Sequence, residues 1–250
     1  MDRLLYTSLS GMRATMRQQI ATASNLANTN TPGFRKELST QAAFWLRGGN
    51  SSRAMASQGI YSADLQKAEV QQTGRDLDLA MAGDSMLAVQ AEDGQEAYTR
   101  RGDLQITDSG VLVNGEGRPL VGERGPITIG AADKVSIDKE GTVYIVQPGQ
   151  NPIQPEAIDQ IKLVSPSAQP RSRIAKGLDG LFRVVDGGTL NRDPAATVQA
   201  DSLENSNVEP TQALVDMIQA SRSYEQSVKM VATARQLDES SASLMDIPSS

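Results

Sequence analysis

The sequence contains no cysteine and no histidine. The first absence excludes disulfides, thiolate nucleophiles and cysteine-ligated metals. The second removes the commonest general base, the usual catalytic triad and most zinc sites. No catalytic, cofactor-binding or metal residues are therefore expected, and the chain reads as a non-enzyme. Aromatic residues make up only 4% of the 250 positions, which is lean for one globule of this size, so partners are expected to complete some of its apolar surface. No run of about 18 apolar residues occurs, so no membrane span is expected. There is no basic excess either, with 24 Lys plus Arg against 30 Asp plus Glu and a net charge of −6. Nothing there would hold a phosphate backbone, and nucleic acid binding is not expected. Met1 to Ile20 is polar, without an apolar core or a small-residue cleavage site, so a cleaved secretory leader is not expected. A cysteine-free chain suits cytosol and periplasm equally.

What is present falls into three textures, which together predict an α+β fold. From Asp2 to about Asn28, Leu5, Leu9, Met12, Met16, Gln19, Ala23 and Leu26 recur at alternating spacings of four and three. That places them along one face of a helix, as in a coiled-coil seam. The helix should end at Asn28, and Pro32-Gly33 fits the centre of a type II turn. Residues 41–74 read as an extended connector, carrying an apolar cluster at Phe44, Trp45 and Leu46. Residues 75–200 carry short apolar runs separated by turn signals such as Asp93-Gly94 and Asn114-Gly115, which predicts a mainly antiparallel β domain. A second helix is expected from about Ser206 to Met245, with Pro210 in its first turn. There Leu214, Met217, Ser221, Tyr224, Val228 and Val231 repeat the four-and-three spacing, and the seam then slips toward Leu237 and Leu244. Residues 1–40 and 201–250 would thus form one discontinuous helical assembly domain, the two ends pairing in coiled-coil fashion.

Neither end has a neighbouring helix in sequence to cover it. Burying five large side chains of the first seam would contribute roughly 8–15 kcal/mol as an upper bound, and a lone helix realises little of that. Two readings stay open for Leu5, Leu9, Met12, Met16, Leu26, Leu214, Met217, Tyr224, Val228 and Val231: an intersubunit core, or an intrachain one.

Three motifs then point to a family. Ser24-Asn25-Leu26-Ala27-Asn28, followed by Thr31-Pro32-Gly33-Phe34-Arg35, resembles the N-terminal signature of flagellar rod and hook proteins, with Ser24 where Asn is usual. Leu203-Glu204, Ser206-Asn207-Val208, Met217-Ile218, Arg222 and Tyr224-Glu225 resemble its C-terminal signature, with Ser221 in place of a commoner Gln. Arg75, Leu77-Asp78-Leu79-Ala80, Gly83-Asp84, Tyr98-Thr99-Arg100 and Gly102 resemble a middle signature, although Ser85-Met86-Leu87 departs from the Gly-Phe-Phe expected there. Length and the wording around Leu203 to Pro210 bring the chain nearer to a proximal than to a distal rod member. The resemblance implies a structural subunit of the flagellar basal-body rod, polymerising with copies of itself and other rod proteins in the periplasm. It also implies passage through the flagellar export apparatus.

Rival readings rest on less. Ser136 and Lys139 have a Ser-x-x-Lys spacing but sit in a strand-turn-strand context without a Lys-Thr-Gly partner. Asp76, Asp78 and Asp84 lie beside β turns, where carboxylates usually face solvent, so a glycosidase pair is a poor reading. Arg101-Gly102-Asp103 is an adhesion tripeptide that arises often by chance. Asp138 and Glu140 before Gly141 lack the further ligands of a calcium loop.

Overall fold

The computed structural model describes residues 2–38, 43–45, 54–56, 62–149, 155–169, 173–177 and 179–245. The chain divides into two compact units. Leu46, from the apolar cluster of the connector, lies outside the described residues.

The first unit holds residues 1–27, 37–62 and 208–250. Its two helices are α1 (Asp2–Ala27) and α2 (Pro210–Met245), close to the spans that periodicity predicts. They pack along each other. Pro210 fits the first turn of α2 because its missing N–H would have no intrahelical partner there, and the Ala213 N–H donates to the Glu209 carbonyl. Among the described residues, no helix is long and apolar enough to cross a membrane. Strand β1 (Glu37–Leu38) follows α1. It is tied to α1 by Asn25, whose Oδ1 accepts from Glu37 N at 2.7 Å while its Nδ2 donates to Glu37 O at 2.9 Å. Strands β2 (Ala43–Trp45) and β3 (Ala54–Ala56) form an antiparallel pair, and β4 (Ser62–Ala63) ends this stretch.

The second unit holds residues 28–36 and 63–207, and it is built of short antiparallel strands. These are β5 (Val70–Gln72), β6 (Leu79–Met81), β7 (Met86–Gln90), β8 (Glu96–Thr99), β9 (Leu104–Ile106), β10 (Leu112–Asn114) and β11 (Lys134–Ile137). They continue as β12 (Thr142–Val146), β13 (Glu156–Gln160), β14 (Leu163–Val164), β15 (Ile174–Lys176), β16 (Phe182–Val184), β17 (Val198–Ala200) and β18 (Ser202–Glu204). The largest sheet has the order β14-β7-β8-β16-β15, beside a three-stranded sheet β11-β12-β13 and the pairs β10-β9, β17-β6 and β18-β5.

Strand β7 shows why this unit has two cores. Alternate residues of a strand point to opposite faces. Leu87 and Val89 enter a core with Leu79, Leu104, Leu112 and Ile161, while Met86 and Ala88 enter another with Tyr98, Phe182 and Leu190. The departure Ser85-Met86-Leu87 is therefore accommodated by burial: Met86 and Leu87 fill opposite cores, and Ser85 is buried 3.5 Å from the Ser165 hydroxyl.

The units divide elsewhere than composition suggests. Residues 28–36 go with the β unit, because Gly33 N donates to Glu204 O and Lys36 N to the Asn207 side chain. Residues 63–74, read as connector, also belong there, since β5 pairs with β18. Residues 37–62 group with the helices instead, as do residues 208–250, whereas 201–207 stay with the strands.

Candidate assembly site

Two features occupy the positions singled out in the sequence: the outer faces of the helices, and a buried ionic cluster where the three motifs meet.

Globular helices normally turn their large apolar side chains inward. Both helices here do the reverse. In α2 the buried residues are small, Ala213, Ala220 and Ser227, each seven positions from the next. At about 100° per residue they run along one line. Leu214 (50% exposed), Val215 and Ile218 (54% exposed) lie on about the opposite side. In α1 the buried residues are Ala21, Thr22 and Asn25, while Leu9, Met16 (51% exposed) and Ile20 (49% exposed) fall within about 40° of one another on the far side. Small side chains toward the rest of the unit let the backbones approach closely, and the aliphatic area is left facing out.

The structure thus splits the candidate seam. Leu9, Met16, Leu214 and Val228 are exposed, whereas Met12, Leu26, Met217, Tyr224 and Val231 are half-buried. The side chain of Leu5 lies outside the described residues. Ile20, Val215 and Ile218, absent from the predicted seam, belong to the outer faces.

The second feature belongs to the β unit. The Phe34 N–H donates to Thr31 O across Pro32-Gly33, and Gly33 has φ +68°, as a type II turn requires. The turn aims Arg35 into the interior, where its Nη2 lies 2.5 Å from Glu204 Oε1. Arg100, from the middle motif, places Nε 2.8 Å and Nη2 2.7 Å from Glu204 Oε2. Its other contacts are the carbonyls of Met81, Gly83 and Ser85. The Ala68 N–H donates to Glu204 Oε1 at 2.9 Å, and Lys176 Nζ donates to Arg35 O at 3.0 Å while standing 3.6 Å from the centre of the Phe34 ring. Asn207 completes the junction. Its Oδ1 accepts from Lys36 N at 2.6 Å and its Nδ2 donates to Asp64 O and Gln66 O. One carboxylate therefore joins all three motifs. Arg35, Arg100, Lys176 and Glu204 are all buried. Arg35 Nε and Nη1 find no acceptor, a cost that its tight pairing through Nη2 must exceed.

Burial alone would push the Glu204 carboxyl up, but the Arg35 hydrogen bond, the Arg100 charge and the Ala68 N–H outweigh it and hold it below the ordinary carboxylate range. Burial pulls the Arg100 guanidinium down, against the charge of Glu204. A carboxylate held low in the fold contributes stability that is complete above its unfolded value and lost as pH falls through the folded one. Thermal melts of the chain are thus expected to be level from about pH 7 to 5 and to fall below about pH 4. Glu204→Gln should flatten that acid limb; an unchanged limb would assign it to other carboxylates.

The rival motifs have ordinary structural settings. Arg101 pairs with Asp103 through Nε at 2.8 Å and Nη2 at 2.9 Å, so the two charges of the tripeptide hold each other. Asp138 Oδ1 accepts from Glu140 N and Thr142 N, which closes the β11–β12 turn. Ser136 lies in β11 opposite Tyr144. No group of three or more potential metal ligands occurs among the described residues.

Comparison with known proteins gives a consistent picture. Residues 5–35 match the family described as flagella basal body rod protein, residues 80–145 the flagellar hook protein FlgE/F/G D1 domain, and residues 199–244 the C-terminal region of flagellar basal body rod FlgEFG proteins. The chain is 35% identical over 240 residues to the flagellar basal-body rod protein FlgF of Salmonella typhimurium, covering 93% of this chain and 94% of that one. Identity and coverage are the same against FlgF of Escherichia coli. Against the rod protein FlgG of Bacillus subtilis it is 30% identical over 269 residues, covering 95% and 97%.

Proposed function

This chain belongs to the flagellar basal-body rod protein family, and from that premise we propose that it is a structural rod subunit assembling through the outer aliphatic faces of α1 and α2. The observation that carries this reading is the inversion of both helices. A monomer has no use for Met16, Ile20, Leu214 and Ile218 half in water, whereas a polymer would remove them from it. Half-buried Met12, Met217, Tyr224 and Val231 extend those faces toward the small-residue side, where coiled-coil-like pairing with neighbouring subunits would cover them. The family is structural, and no chemistry is required of the chain. In a rod, torque must pass between subunits without slippage. Close-packed helix faces meet that demand because dense interiors are poorly compressible.

The higher identity to FlgF than to FlgG supports a place between proximal and distal rod segments. It also favours other rod proteins, besides further copies of the chain, as neighbours in the periplasm, reached through the flagellar export apparatus.

The test is Ile20→Glu combined with Ile218→Glu. Each site removes about 1.5–3 kcal/mol of burial on assembly, so incorporation should fall by at least tenfold per contact. Far-UV circular dichroism of the monomer should stay unchanged, because both side chains already face solvent. Incorporation into isolated basal bodies and swimming in soft agar are the readouts. Wild-type incorporation by a folded double variant would overturn the proposal.

A further inference from the structure

The two outer faces differ in the charge that borders them. Around the α1 face, residues 9–20 contain Arg13 and Arg17 and no acidic residue. Around the α2 face, residues 209–225 contain Glu209, Asp216 and Glu225 against the single base Arg222. The formal charges are opposite in sign and equal in size. Packing α1 on a second α1 would set arginines against arginines, and packing α2 on a second α2 would set carboxylates against carboxylates. Such like-charge meetings select against wrong partners more strongly than matched charges raise affinity. Because each face lies on the side of its helix turned away from the rest of its unit, both remain available at once.

Resting on the proposed assembly through these helices, we propose that the arginine-bordered α1 face of one copy seats on the acid-bordered α2 face of a second copy. Such a contact is heterologous. It uses two different surfaces, leaves one of each free at the ends, and so propagates instead of closing as a two-fold dimer. A two-fold pairing of either face with itself would stop at two chains.

The natural absence of cysteine makes the test direct. Full-length chains carrying Met16→Cys or Ile218→Cys, both at exposed positions, are oxidised with copper phenanthroline at high protein concentration, separately and mixed. The expected result is a disulfide dimer from the mixture alone, and a ladder of oligomers from the chain bearing both substitutions. Adding Arg13→Glu and Arg17→Glu to the Met16→Cys chain should cut the mixed dimer at least fivefold, and raised salt should weaken it. Dimers from either single variant alone would overturn the pairing of unlike faces while leaving assembly through the helices intact. No cross-link in any combination would overturn a second copy as the occupant, and the Glu double variant in basal bodies then reports separately on whether the helix faces serve assembly at all.

Discussion

Replacing Glu204 with alanine should destabilise the β unit by about 3–5 kcal/mol, the range seen when one partner of a buried ion pair is removed. The loss is that large because Glu204 is the shared counter-charge of Arg35 and Arg100, both buried and both within 2.8 Å of its oxygens. Two uncompensated guanidinium groups would remain in the interior. Domains of this size are stable by about 5–15 kcal/mol in total, so the variant should sit near its unfolding threshold at ambient temperature. Urea unfolding followed by the near-ultraviolet signal of Tyr98 and Tyr144 measures it. Two controls separate causes. Lys134→Ala breaks an ion pair to Asp76 at the surface, with side chains 61% and 44% exposed, and should cost no more than about 1 kcal/mol. Adding Arg35→Met to Glu204→Ala removes one stranded charge and should restore part of the loss, which a double-mutant cycle quantifies. A Glu204→Ala midpoint equal to that of Lys134→Ala would show that the cluster does not hold the unit together.

The second large effect is expected at Gly33. Its φ of +68° already disfavours a side chain, by about 1–2 kcal/mol. A Cβ there would also overlap the Arg100 carbonyl, which is backbone and cannot swing aside. Gly33→Ala should therefore cost more than about 3 kcal/mol, since strain and overlap add. Gly94 supplies the comparison, with φ +78° and nothing near its missing Cβ. Gly94→Ala isolates the backbone strain, and the difference between the two is the cost of the overlap. If both variants melt alike, the Pro32-Gly33 turn has room to retreat from the strand end that carries Arg100.

Much of this was legible in the sequence for physical reasons, and some was not. Helices α1 and α2 follow from four-and-three spacing sustained over several turns, a signal that short strands do not imitate. Strands rich in branched residues, such as β12, stand out between their turns. By contrast β8, with Glu-Ala-Tyr-Thr, and β13, with Glu-Ala-Ile-Asp-Gln, carry too little alternation, yet their positions in the sheets are fixed by neighbours. Strand β5 is exposed at all three residues and exists because β18 pairs with it. Periodicity located the apolar residues of the helices but not which way they face. That depends on what the small residues Ala213, Ala220 and Ser227 allow to come close. The ionic cluster had no local sign at all. Arg35, Arg100 and Glu204 appear as motif letters, while Lys176 and Ala68 have no motif to mark them, and only the folded chain brings the five together.

The Glu204 junction also sets an order of events in time. Its bonds to Arg35 and Arg100 span 169 and 104 residues, and non-local closures of that length are slow because chain entropy must be surrendered before any contact rewards it. A chain that emerges from its N-terminus presents Arg35 early and must wait for nearly its whole length before the partner carboxylate arrives. Until then the β unit lacks its last strand pair, β18 on β5, and its interior charges have no counter-ion. The unit therefore closes late and all at once, only after the segment leading into α2 is free to join it.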